Sequence, residues 1–162
     1  MIDYLVYGFF AAVAAAGFSS ISNPPKKAIF ISAFLASIGY SFRYFLLENT
    51  SVDITFATFF AAFTIGMGSM FFAKLAHIPA EVFSFPSLLP MIPGMYAYKT
   101  ILSFIYFMKN DDDVILQQMI TEIFKNGLTA FGVITALVVG VAIPLFIFYE
   151  HSYMVTRSKK VK

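Results

Sequence analysis

Long apolar stretches separated by short polar clusters set the rhythm of this chain. Tyr4 to Ile21 is almost wholly apolar and is ended by "NPPKK" (Asn23 to Lys27), where paired prolines and two lysines cannot continue an apolar helix. Ala28 to Leu47 follows, interrupted by Arg43, and "ENTSVD" (Glu48 to Asp53) closes it with a polar turn. Ile54 to Ala73 carries no charge at all, and "KLAHIP" (Lys74 to Pro79) is the next connection. A helical membrane crossing needs roughly 20 mostly apolar residues. Each of these three stretches meets that length, and so does Leu128 to Tyr149 near the end.

Between them runs Pro79 to Met108, too long for one straight crossing. It contains "FPSLLPMIPGMYAYKT" (Phe85 to Thr100), with Pro86, Pro90, Pro93 and Gly94 in an otherwise apolar setting. Proline removes a backbone donor and clashes with the preceding turn. This pattern predicts two half-helices, about Ala80 to Leu89 and about Met95 to Met108, broken at residues 90–94. The polar stretch Lys109 to Gly127 has only partial helical periodicity and predicts a loop or a short amphipathic helix at the interface. Asp111 to Asp113 would cap its positive end. The expected architecture is thus an all-α integral membrane protein in one domain, with five transmembrane helices at 4–21, 28–47, 54–73, 79–108 and 128–149. The fourth is broken at the Pro/Gly motif, and a basic tail occupies 150–162.

Composition agrees. The chain of 162 residues is 59% hydrophobic and 12% charged, with mean hydropathy +0.79. Soluble domains are about 25% charged, so this chain cannot be solvated as a compact aqueous globule. There is no tryptophan, which leaves any interfacial belt to tyrosine, and no cysteine, which excludes disulfides and thiolate metal sites. Ala-x-Ala sequences near the end of the first stretch resemble a signal-peptidase site. A secretory signal also needs a positive leading region, whereas Asp3 stands there, so a retained first span is expected.

Lysine and arginine set the expected orientation. Lys26, Lys27, Lys74, Arg157, Lys159, Lys160 and Lys162 fall on one side, and Lys109 and Lys125 on the other. Seven against two predicts an outside N-terminus and a cytoplasmic C-terminus. If 79–108 is re-entrant instead of crossing, the count of crossings changes and this assignment with it. Small residues recur every fourth position as Gly8, Ala12, Ala16, as Ala33, Ser37, Ser41, and as Gly132, Ala136, Gly140. Such rows let helix backbones approach closely in lipid.

Several residues could carry chemistry, each with two readings. Arg43, about one turn from the end of the second span, either snorkels to headgroups or receives a carboxylate through its planar fork. Lys99 either faces a cavity or anchors at the interface, depending on the depth of the break. Glu81 suits the first turn of a helix, where a carboxylate complements the dipole, and His77 sits in a short loop. The break is the stronger signal. Half-helix N-termini inside membranes offer unpaired N–H groups to anionic solutes. Pro93 and Gly94 would open such a half-helix, with Tyr96 and Tyr98 adding hydroxyls and Ser87 and Thr100 close in sequence. The alternative is a proline-kinked helix whose carbonyls are met by neighbours. Pro144 is a milder case of the same kind. No enzyme constellation, metal cluster, nucleotide loop or cofactor motif is present in the sequence. The basic tail adjoins a span and suits anionic lipid, with nothing to indicate nucleic acid.

These residues resemble the threonine/serine exporter family, specifically its small split subunit. "FPSLLPMIPGMYAYKTIL" is similar to that family's proline–proline–glycine–tyrosine signature, "GYSFRYFL" (Gly39 to Leu46) to its glycine-x-x-x-arginine, and "NGLTAFGVITALVVGVAIP" (Asn126 to Pro144) to its closing span. The resemblance implies export of small amino acids such as threonine and serine, or of dicarboxylates such as succinate. It also implies a larger membrane subunit as partner. Gly39, Arg43, Pro90, Pro93, Gly94 and Tyr98 map onto the shared motifs, and Lys99 lies outside them. With no ATP motif present, an ion or proton gradient would drive export. Rival readings are a non-transporting assembly subunit and a small stand-alone channel.

Overall fold

The computed structural model describes residues 2–148, with side chains from Tyr4 onward; the last residue of the expected fifth span and the basic tail lie outside that range. The described residues form only helices. In order they are α1 (Ile2–Ile21), α2 (Lys26–Asn49), α3 (Ile54–Ala76), α4 (Glu81–Leu88), a 3-10 turn (Leu89–Met91), α5 (Gly94–Lys109) and α6 (Asp113–Ile147). Four of them, α1, α2, α3 and α6, are long and apolar enough to cross a membrane, and α4 with α5 makes a fifth if the pair is one broken span. The protein is an all-α, multi-pass membrane protein.

Local signals explain the boundaries. Pro25 precedes α2, where its missing N–H costs nothing. Asp53 caps α3 by accepting from Thr55 N at 3.1 Å, and His77 ends α3 in the left-handed region at φ 55°. Asp112 accepts from Val114 N at 2.9 Å and starts α6. One element departs from the sequence pattern. Instead of a separate short helix before a span starting at Leu128, α6 is a single helix of 35 residues. Asn126 and Gly127 do not break it, because the Asn126 amide folds back on Glu122 O at 3.0 Å and the flanking residues are good helix formers.

The chain divides into two compact units, one running to Met91 and resuming at Ala136, the other Ile92–Thr135. The first unit packs by small residues. Ala11, Ala15, Ala36, Ala57, Ala61 and Ala62 are buried, while Phe30 and Phe71 point outward at 77% and 61% exposure. That arrangement suits lipid, where close backbone contact replaces hydrophobic collapse as the source of association. A Cβ on Gly8 would lie 2.5 Å from Ser41 Oγ, and one on Gly140 would lie 2.7 Å from Phe59 O, so α1 meets α2 and α6 meets α3 at glycine. On α1 the buried row is Gly8, Ala11, Ala15 and Ser19, with Ala12 and Ala16 only half-buried. The 3.6-residue period turns the contact face away from a strict four-residue row. Pro144 does not end α6: it is buried and sits 3.0 Å from a Cβ position on Gly66. Leu35, Met70 and Phe83 centre an apolar cluster joining α2, α3 and α4. At one end Tyr4 and Tyr44 hydroxyls both donate to the Glu48 carboxylate, tying the start of α1 to the end of α2.

In the second unit α5 runs beside the first part of α6. Ser103 Oγ donates to Glu122 Oε2 at 2.7 Å, and Thr100 lies 3.4 Å from a Cβ position on Gly127. Gly132 is half-buried there.

Candidate functional site

The break is built in stages. Pro86 stands inside α4 and is buried. Having no N–H, it leaves Val82 O, one turn back, without its helical donor; Ser32 Oγ from α2 reaches that carbonyl at 3.4 Å. Ser87, fully buried, can donate to Phe83 O at 2.6 Å or to Ser32 O at 2.9 Å. Two serines therefore hold α4 to α2 where proline has disrupted the ladder. Pro90 then falls in the 3-10 turn, and Pro93 adopts φ −79°, ψ 56° while Gly94 N bonds Ile92 O at 2.8 Å. That is an inverse γ-turn. Ala97 N bonds Pro93 O at 3.1 Å, and α5 begins.

Gly94 N–H is thus turned back on Ile92, and Met91 O is met from elsewhere: Arg43 Nη1 donates to it at 3.0 Å. An unpaired carbonyl away from water costs about 1–3 kcal/mol, and here a cation from another helix meets it. The Arg43 guanidinium also lies 5.9 Å from the centre of the Tyr40 ring, within cation–π range. One turn earlier Gly39 is buried, and a Cβ there would lie 2.5 Å from Ile65 Cδ1 and 3.3 Å from Met91 Cε. Glycine at this position lets α2, α3 and the 3-10 turn converge under the arginine. Arg43 itself is half-buried. Its fork can meet a carboxylate in two parallel bonds, a geometry lysine lacks.

The first unit thus brings Arg43, Gly39 and the Pro90 turn together. The remaining candidates lie in the second unit. Pro93 is buried, Tyr96 half-buried, and Gly94, Tyr98 and Lys99 exposed. Gly94 does not use a positive φ, and a Cβ added to it would meet nothing within 4 Å. Packing within the chain therefore does not demand glycine at this position. Tyr40, the Met91 carbonyl and Ser32 escaped the sequence reading. Ser32, Gly39 and Arg43 do share a signal, since spacings of seven and four residues put them on one stripe of a helix.

A bundle whose broken helix is held by serine and arginine from a neighbouring span belongs to the class of multi-pass helical membrane proteins. The family model described as "Threonine/Serine exporter, ThrE" matches residues 7–147. An uncharacterized protein of Haemophilus influenzae is 36% identical over 158 residues, which cover 96% of this chain and 51% of that protein. No solved structure matches. The chain belongs to the threonine/serine exporter family, a family of transporters, and spans about half the length of that curated relative.

Proposed function

We propose that this chain is the small subunit of a secondary exporter of small carboxylate solutes, threonine and serine or a dicarboxylate such as succinate, and that it works with a larger membrane subunit. The observation that carries the reading is the Arg43 guanidinium on Met91 O at the break. A solute carboxylate offers a stronger, bidentate acceptor than one neutral carbonyl. It can therefore draw Arg43 from Met91 and couple occupancy to the broken element. Pro90, Pro93, Gly94, Tyr96, Tyr98 and Lys99 are the further residues proposed to bind the solute. The length of the relative supports a partner: about half of that protein has no counterpart in this chain. The excess of lysine and arginine on one set of loops supports an outside N-terminus in the cell membrane and a cytoplasmic C-terminus.

Export from cells tests this. Arg43→Gln keeps polarity but loses the charge and fork, so efflux is expected to fall by at least about tenfold, the worth of one charged hydrogen bond, while the subunits still co-purify. A Cβ at Gly94 meets nothing within 4 Å among the described residues, so export lost in Gly94→Val with intact association would place a solute or partner against that backbone. Export surviving both changes would favour the assembly subunit, and export by this chain alone would favour the channel.

A further inference from the structure

A cavity of about 350 Å³ opens in the first unit, away from Arg43, lined by Ser19, Ser22, Pro24, Pro25, Glu81, Val82, Phe85 and Pro86. Its size falls within the range of small-molecule sites, about 300–1,000 Å³, and its mix of mostly apolar wall with few polar groups is typical of them. Ser19 and Glu81 of this lining have no hydrogen-bond partner among the described residues. Ser19 is 0% exposed, and its Oγ makes no hydrogen bond among the described residues. Its neighbour Ser20 shows the usual alternative, donating to Ala16 O one turn back at 2.7 Å. A buried hydroxyl without a partner carries a desolvation cost, which a ligand would remove. Glu81 is the second group: exposed at the cavity rim in the first turn of α4, where its charge complements the helix dipole, it makes no hydrogen bond or ion pair among the described residues. Lys26 and Lys27 start α2 just beyond Pro25 but do not line the cavity.

We propose that this cavity binds a primary ammonium group carried on a short aliphatic body. Glu81 supplies the counter-charge, Ser19 Oγ accepts one N–H, and Val82, Phe85 and the prolines enclose the carbon chain. A cavity whose charged lining is a carboxylate disfavours a dianion. Two sources share this chemistry: a free amino acid, and the ethanolamine headgroup of a lipid. With a free amino acid the site deepens the exporter reading and rests on it, as a waiting position for the amino end on the side of the α1–α2 connection.

The absence of cysteine makes a clean test possible. Ser22 is an exposed rim residue, so Ser22→Cys gives a single thiol whose maleimide labelling can be timed in the full chain reconstituted in vesicles. In phosphatidylcholine vesicles, L-threonine and n-propylammonium are expected to slow labelling and succinate to leave it unchanged. Adding Glu81→Gln is expected to raise the protecting concentration by at least about tenfold. Slower labelling in phosphatidylethanolamine vesicles, with no response to added solute, would assign the headgroup as the occupant. Labelling that responds to neither ammonium source, or equally to succinate, overturns the proposal using the Glu81 protein alone, so a misfolded variant cannot rescue it. Efflux lost in Arg43→Gln while Ser22→Cys shows no ammonium protection would sink this cavity and spare the exporter reading. The reverse result would do the opposite.

Discussion

Arg43 illustrates how a single side chain serves the fold before any solute is considered. Its guanidinium donates to Met91 O at the end of the 3-10 turn, in a stretch where prolines thin out the backbone donors. Arg43→Ala should therefore destabilise the protein by about 1–3 kcal/mol through the orphaned Met91 carbonyl, read as a lower midpoint in thermal unfolding in detergent. Arg43→Lys, which restores one charge but no fork, should recover much of that stability and little of the export. Gly39 sets the distance between α2 and the turn. Gly39→Val should cost about 1–3 kcal/mol by overpacking against Ile65 and the Met91 side chain. A companion Ile65→Ala, which removes the colliding atoms, should return part of the loss, whereas a merely additive double mutant would contradict the contact.

Among the elements, α3 depends on its first turn. The Asp53 carboxyl is held below its ordinary value, chiefly by the hydrogen bond from the Thr55 backbone. A carboxyl with a depressed folded-state value contributes stability above its unfolded value and loses it as pH falls through the folded one. Removing the cap with Asp53→Ala should cost about 1 kcal/mol near neutral pH, and the difference from wild type should shrink in acid. Glycine sets the limits of α6. Gly140→Leu would press a side chain into Phe59 O and Ala62, and should part α6 from α3, seen as proteolysis or cross-linking that the wild type resists. The sequence made α6 look like two pieces because Asn, Gly and a polar face are ordinary loop signals. They fail here since the Asn126 side chain bonds back to Glu122 O and α5 packs along the same turns.

At the scale of the molecule, the chain is an all-α membrane protein whose first unit buries mostly small residues and turns large ones outward. It belongs to an exporter family and covers about half the length of its Haemophilus influenzae relative. The proposed pairing predicts that affinity-tagged chain, solubilised in mild detergent, brings down a larger membrane protein in fixed ratio, and that Arg43→Gln leaves this ratio unchanged. Recovery of the tagged chain alone, still competent for export in vesicles, would contradict it. The proposed orientation is checked by single cysteines at Asn23 and at Asn110. The first should react from the cytoplasmic side and the second from outside.

Hydropathy by itself determined that this is a helical membrane protein, because about 20 apolar residues in a row have no other stable home. The Pro/Gly cluster likewise announced a broken element, since missing backbone donors are covalent facts that packing cannot repair. Only the tertiary structure decided how the break is satisfied. The proline at position 86 says that the Val82 carbonyl needs a donor but not that Ser32, fifty positions away, supplies it, and no local signal assigns Arg43 to the Met91 carbonyl. Nor could the sequence locate the Ser19–Glu81 cavity, for a serine at a helix end and an acid in a first turn are individually ordinary. Helical periods are written locally along the chain, whereas which stripe faces which neighbour is fixed by close contact at Gly8, Gly39, Gly66 and Gly140, summed over the whole bundle.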